Sequence, residues 1–221
     1  MQLKPSVLLA ALVVSATLAV AAAPWALGLP PLAWVFKPLA TLTVILYAWQ
    51  RGVGQVVQRR WVLAGLACSL VGDVALLWPQ RGFVPGLLSF LLAHLAYLVA
   101  FTRGTRLAAW PPAFVACALV ASGVLWRLWP GVPAALQVPV LAYALCLVGM
   151  AAQAVVLWQR GVPRGATLAA GGALFLLSDG LLASNKFAGA LPLASLWILA
   201  SYWAAQWCIA SWLQPKFECA A

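Results

Sequence analysis

Charged residues are scarce in this 221-residue sequence, of which 7% are charged and 66% hydrophobic. A soluble domain normally carries about 25% charged residues. The shortage leaves too little polar surface to cover a water-exposed globule, so it excludes a soluble globular protein and predicts lipid around most of the surface. Acidic residues are the scarcest of all, with three in the sequence against 13 lysines and arginines.

Other absences exclude whole classes of chemistry. Histidine occurs once, at His94, which excludes a zinc site built from three histidines. The five cysteines are an odd number without CxxC spacing and predict neither a disulfide framework nor a zinc knuckle. Phosphate-binding loops, a dinucleotide fingerprint and a GxSxG nucleophile motif are missing too. We therefore expect no metal and no cofactor, and the scattered basic residues predict no nucleic-acid partner.

Long apolar runs fill the rest of the sequence. Each is roughly 17–24 residues long, which suits an α-helix that crosses a bilayer core of about 30 Å. Strands of a membrane barrel would be shorter and would alternate polar with apolar residues. The runs predict an all-α polytopic transmembrane bundle of about eight helices, forming a single integral-membrane domain over residues 1–221. The predicted spans are 6–28, 33–49, 61–79, 83–101, 108–129, 136–158, 165–184 and 190–213.

The basic residues between the runs predict the orientation, because cytoplasmic loops of membrane proteins carry more positive charge. Nine fall on one side of the membrane: Lys4, Arg51, Arg59, Arg60, Arg103, Arg106, Arg160, Arg164 and Lys216. The other side has four, namely Lys37, Arg81, Arg127 and Lys186. Both termini are therefore predicted to be cytoplasmic, in a bacterial inner membrane.

The first span has a second interpretation as a signal peptide. Lys4 precedes its apolar stretch, and the segment 21–23, Ala-Ala-Ala, resembles a cleavage site. Its length and the further spans that follow directly favour a retained helix.

Two aspartates, Asp73 and Asp179, fall inside predicted spans. A charged group near the bilayer centre costs about 2.5 kcal/mol or more, so such a residue is a functional hypothesis by default. Counted from the basic cytoplasmic ends of their spans, the two acids lie at similar depth. Lys37, Asn185 and Lys186 are predicted to lie in the same outer layer of the membrane.

The simpler interpretation is structural, with Asp73 neutralising Lys37 and Asp179 neutralising Lys186. Buried ion pairs contribute little net stability. Two intramembrane acids at matching depth therefore favour a shared functional site over two structural pairs.

Further polar residues accompany the acids. His94 shares a helix face with Tyr97, three residues further on. Its side chain either forms a hydrogen bond between helices or belongs to the functional site. Tyr202 and Gln206 form an i,i+4 pair that either joins helices or lines a pocket. Four glycines are interpreted as positions where helices pack closely: Gly72, Gly86, Gly171 and Gly172.

A weak internal repeat links the two acids. The segment 71–77, Val-Gly-Asp-Val-Ala-Leu-Leu, is echoed by 177–182, Leu-Ser-Asp-Gly-Leu-Leu. The third and fourth spans would then correspond to the seventh and eighth in the same orientation.

At these residues the sequence resembles the YhhN family, which includes the TMEM86 lysoplasmalogenases. The segments that carry the resemblance are 69–77 with His94-Leu95-Ala96-Tyr97, 175–183 with Asn185-Lys186-Phe187, Tyr202 with Gln206, and Phe36-Lys37-Pro38-Leu39. It covers the second to fourth and the last two spans.

The resemblance implies a membrane hydrolase that cleaves the vinyl-ether bond of a lysoplasmalogen, giving a fatty aldehyde and a glycerophospho-ethanolamine or -choline. Asp73 and Asp179 would form its catalytic acid–base pair, with either of them as the acid, and Lys37 or Lys186 would contact the lipid phosphate. The expected substrate-binding residues are Lys37, His94, Tyr97, Ser178, Asn185, Lys186, Tyr202 and Gln206. The partners are then a lysophospholipid and the bilayer, with the oligomeric state left open.

Two other classes of protein fit the same residues. A proton-coupled transporter or lipid flippase would use the aspartates as a proton relay, although the short loops and the lack of an evident pair of broken helices disfavour it. A structural membrane scaffold would need them for stability alone.

Overall fold

A computed structural model describes residues 3–78 and 80–215 of the chain. Within these ranges the chain is all-α, which confirms the predicted fold class. The helices are α1 (Pro5–Ala21), α2 (Pro30–Trp49), α3 (Val56–Ala75), α4 (Phe83–Thr102), α5 (Pro111–Leu128), α6 (Ala134–Gln159), α7 (Gly165–Phe187) and α8 (Ala194–Trp212), with a 3-10 turn at Trp129–Gly131. Lys216, which was counted in the predicted orientation, and Cys219 lie outside the described residues.

Several helices have the dimensions of membrane spans. In the described part of the chain, α2, α4, α5, α6 and α7 are each long and apolar enough to cross a membrane. The α1 helix is apolar as well but has 17 residues. Large apolar side chains are exposed along these helices, with Trp126 at 85% and Val138 at 77%. The chain is therefore a helical integral membrane protein.

Two predicted span ends differ from the helices by five residues or more, and the other ends agree within four. The first helix ends at Ala21, short of residue 28, because Pro24 cannot continue a helix and favours extended backbone in the residue before it. The third helix begins at Val56, ahead of residue 61. Its first turn includes Arg59, whose guanidinium donates to the Trp49 carbonyl at 2.6 Å and lies 4.9 Å from the centre of the Trp49 ring.

The helices divide into two compact units. The first contains the described residues up to Ala100 together with 213–215, and the second runs from Phe101 to Trp212. In the first unit α2 packs against α1 and α3, and in the second unit α7 packs against α6 and α8. The prediction of one domain over the whole chain stays a prediction.

Glycines bring neighbouring helices close within each unit. A side chain at Gly72 would begin 2.6 Å from the Phe90 ring, so only glycine lets α4 approach α3 there. At Gly172 a Cβ would lie 3.0 Å from the Cα of Ala151 on α6. The glycines interpreted as close-packing positions do lie at such contacts, and the acid-bearing helices α3 and α7 are held tightly by their neighbours.

Candidate functional site

The first acid, Asp73, lies on α3 in a cluster of polar groups supplied by α2. Its side chain is buried, with 1% of the residue exposed. The Lys37 ammonium lies 3.5 Å from Oδ1 of Asp73 and donates to the Asp73 backbone carbonyl at 3.2 Å. The Thr41 hydroxyl donates to Oδ2 at 2.6 Å. One carboxylate oxygen of Asp73 is therefore paired with a positively charged group, and the other accepts a hydrogen bond from a neutral hydroxyl.

The two donors lie on one face of α2. Lys37 and Thr41 are four residues apart, so one turn of helix directs both toward the same neighbour. Lys37 is 9% exposed and Thr41 is fully buried. Thr41 was not among the predicted site residues, because a neutral hydroxyl in an apolar span gives no charge signal. Its i+4 spacing from Lys37 is the signal that would have found it.

Aromatic residues of α4 cover two glycines of α3. The Phe90 ring lies against Gly72, next to Asp73 in the chain, and the Tyr97 ring lies against Gly65. His94 stands between these two aromatic residues on α4 and is completely buried. The structure thus places His94 and Tyr97 in the interior of the first unit, on the face of α4 that meets α3.

The second acid, Asp179, lies on α7 and accepts a hydrogen bond from α6. The Tyr143 hydroxyl donates to Oδ2 of Asp179 at 2.6 Å. Both residues are partly exposed. The sequence predictions did not include Tyr143, and the partner proposed for Asp179 in the structural interpretation was Lys186. Lys186 lies in the last turn of α7, seven residues beyond Asp179, and is exposed.

Asp179 continues a line of glycines along α7. Residues 165, 172 and 179 are spaced by seven, so they lie on one face of the helix. That face meets α6, where Gly165 lies against Trp158, Gly172 against Ala151, and Asp179 against Tyr143. The close approach of α6 and α7 therefore fixes the position from which the Tyr143 hydroxyl reaches the acid.

Three more of the predicted site residues, one on α7 and two on α8, are buried where these two helices pack together. The Ser178 hydroxyl donates to the Ile198 carbonyl at 3.0 Å. Tyr202 is 4% exposed, and its ring lies edge-on to Phe175 at 5.7 Å between centroids. Gln206 is fully buried one turn further along α8.

The end of α7 carries the remaining predicted residue, Asn185. Its side-chain oxygen accepts a hydrogen bond from the Leu191 amide at 2.9 Å, which orders the turn before α8. The structure thus gives Asn185 a local structural contact. Its predicted role in binding substrate stays a prediction.

The structure brings together some of the predicted residues. Lys37 and Asp73 are in contact in the first unit, as the structural interpretation of that pair requires. Asp179 lies in the second unit with Tyr143. Across the described residues, no three side chains of histidine, cysteine, aspartate or glutamate are grouped as a metal site would require. The prediction that both acids serve one site stays a prediction.

These features define a class of protein: a polytopic helical membrane protein with carboxyl groups held among apolar helices by specific donors. Such intramembrane acids are typical of functional sites. The chain belongs to the YhhN family, whose family model matches residues 32–213. The resemblance proposed from the aspartate motifs is therefore confirmed.

Named relatives support this assignment. The chain is 40% identical over 146 residues to human lysoplasmalogenase TMEM86B, covering 64% of this chain and 58% of the relative. It is 38% identical over 170 residues to the Sus scrofa lysoplasmalogenase TMEM86B, covering 76% and 69%. An uncharacterized membrane protein YhhN of Escherichia coli O157:H7 is 39% identical over 79 residues, covering 35% and 38%. The match thus spans less than two thirds of the human relative's length, and no solved structure matches the chain.

Proposed function

We propose that this protein hydrolyses the vinyl-ether bond of lysoplasmalogens, with Asp179 as its acid and Asp73 as its base. The reaction is proposed from the relatives, which are named lysoplasmalogenase. The observation that carries the proposal is the contrast between the donors of the two acids. Asp73 contacts an ammonium group, whereas Asp179 accepts a hydrogen bond from a neutral phenol. Two identical side chains in different environments can take different roles in proton transfer.

Asp73 is the ionised member of the pair in this proposal. The nearby ammonium of Lys37 and the hydrogen bond from Thr41 both favour the charged form of a carboxyl group. A carboxylate can stabilise a cationic intermediate and accept a proton from an attacking water. We assign these two tasks to Asp73.

Asp179 then supplies the proton. It transfers the proton to the β-carbon of the vinyl ether, whose double-bond electrons form the new C–H bond and leave an oxocarbenium ion. Water attacks this ion and gives up a proton to Asp73, forming a hemiacetal. The C–O bond of the hemiacetal breaks to give the fatty aldehyde and the free alcohol of the glycerophospholipid. One water is consumed, and the cycle is complete when Asp73 releases the proton that it accepted and Asp179 regains one.

Of the two lysines expected to meet the lipid phosphate, Lys186 fits that role better. Lys37 is 9% exposed and its ammonium contacts Asp73. Lys186 is exposed at the end of α7, where a membrane helix meets the headgroup region. A long basic side chain at a helix end reaches the interface readily.

The purified protein is expected to release fatty aldehyde from lysoplasmalogen in detergent solution. Its activity should be absent with the saturated ether analogue, which has no double bond to accept a proton. Aldehyde is measured by a coupled dehydrogenase assay, with an empty-vector membrane preparation as control. A proton-coupled transporter would release no aldehyde and would instead need a sealed vesicle and a proton gradient. Absence of aldehyde from a folded preparation would contradict the proposed activity.

We also propose that the protein lies in a bacterial inner membrane with both termini in the cytoplasm. The nine-to-four distribution of basic residues supports this orientation. A green fluorescent protein fused after residue 221 should fluoresce, and an alkaline phosphatase fused there should be inactive. The opposite pair of readings would reverse the orientation.

A further inference from the structure

Tyr143 stands in the same relation to Asp179 as Lys37 does to Asp73. In both cases the donor lies 36 residues before the acid in the sequence. In both cases the donor belongs to the helix that precedes the acid-bearing helix, α2 in one unit and α6 in the other. The two donor positions therefore correspond in their sequence spacing from the acid and in the helix that carries them.

The helices around these pairs are alike as well. Each donor helix has an internal proline close to the donor, Pro38 next to Lys37 and Pro139 four residues before Tyr143. The internal repeat proposed from the aspartate motifs linked the third and fourth spans to the seventh and eighth. The common spacing extends this correspondence back to the donor helices α2 and α6.

We propose that Tyr143 is a positioning residue, which orients the Asp179 carboxyl group for proton transfer; this inference rests on the proposed hydrolase function. The hydroxyl holds Oδ2 of Asp179 at 2.6 Å. A protonated carboxyl group still accepts a hydrogen bond on its other oxygen. With Oδ2 held in this way, the orientation of the whole carboxyl group is set.

The difference between the two donors suits the difference in role. An ammonium group at position 143 would hold Asp179 as an ion, as Lys37 holds Asp73. A phenol adds no charge, so it can fix the side chain while the carboxyl group keeps its proton. The glycine contacts between α6 and α7 keep the Tyr143 backbone close enough for this contact.

Replacing Tyr143 by phenylalanine is expected to lower kcat for aldehyde release about 10- to 100-fold with KM unchanged, because a proton donor that is no longer held in place reacts more slowly. The ring remains, so packing is retained. Tyr47→Phe is the matched control, since it removes the same hydroxyl from a buried tyrosine on α2, and it should leave kcat at the wild-type value. A wild-type kcat in Tyr143→Phe, with Asp179→Asn inactive, would overturn the inference while leaving the proposed function intact.

Infrared spectroscopy tests the contact without any turnover. The sequence has three acidic residues, so the bands of Asp73 and Asp179 can be assigned by their loss in the corresponding Asp→Asn variants. Tyr143→Phe should shift the Asp179 band and leave the Asp73 band in place, whereas Tyr47→Phe should shift neither. An unchanged Asp179 band would overturn the inference.

If Tyr143→Phe does not fold, the same contact can be tested from its other side, by changing Asp179 and observing the tyrosine bands. The sequence has four tyrosines, and an Asp179→Leu variant, which removes the acceptor altogether, should change the C–O band of one of them. Unchanged tyrosine bands in that variant would show that no tyrosine hydroxyl acts on Asp179. If the wild-type protein releases no aldehyde, the proposed function fails and the infrared result still decides the contact.

Discussion

Asp73→Asn and Asp179→Asn are each expected to reduce aldehyde release about 10²- to 10⁴-fold while the protein stays folded. Asparagine has nearly the shape of aspartate and can still accept the hydrogen bonds from Thr41 or Tyr143. It cannot carry or accept the transferred proton. Rates are measured on purified variants at saturating lysoplasmalogen, with thermal unfolding in the same detergent as the check on folding.

The control variant should change a buried polar group on α2, the helix that supplies the donors to Asp73, and should leave those donors in place. Thr43→Val is suitable, because the Thr43 hydroxyl is bonded to the Leu39 carbonyl of its own helix at 2.8 Å. We expect wild-type aldehyde release from this variant. Full activity in either asparagine variant would contradict the assigned roles, and a scaffold protein would show changes in thermal unfolding alone.

The helices could be predicted because their physical cause is local. An apolar run of sufficient length must form a helix in lipid, where backbone groups have no water to bond with. The predicted bounds differ from the helix ends where a local rule competes with hydropathy. Pro24 ends α1 inside an apolar run. Arg59 lies inside α3 although it is charged, because its guanidinium bonds to a carbonyl of α2 and lies over a tryptophan ring of that helix.

The acids themselves were predictable, and their partners only in part. Lys37 could be proposed as a partner of Asp73 because a charge in an apolar span is conspicuous. Tyr143 could not be found that way, since tyrosine is common in membrane helices and its hydroxyl carries no charge. Tyr143 becomes the partner of Asp179 through the register of α6 against α7. The Gly172 contact fixes this register, and the sequence pattern does not reveal it.

Replacing Lys37 by methionine is expected to lower the free energy of unfolding by about 3 kcal/mol, because it leaves the buried Asp73 carboxylate without its ammonium partner. Thr41→Val removes a single neutral donor and should lower it by about 1–2 kcal/mol. Both values are measured by equilibrium unfolding in detergent, with Thr43→Val as the reference. Stability equal to the wild type in Lys37→Met would contradict the ion pair.

The double variant Lys37→Met/Asp73→Leu separates stability from function. Well-packed apolar residues in place of a buried ion pair are often neutral or stabilising. The double variant should therefore regain most of the stability that Lys37→Met loses, while it releases no aldehyde. This combination would mean that the pair is kept for its chemistry, since lipid-compatible side chains hold α2 and α3 together equally well. Retained aldehyde release in a stable double variant would instead contradict any catalytic role of Asp73. Asp179 would then be the one remaining candidate of the two acids.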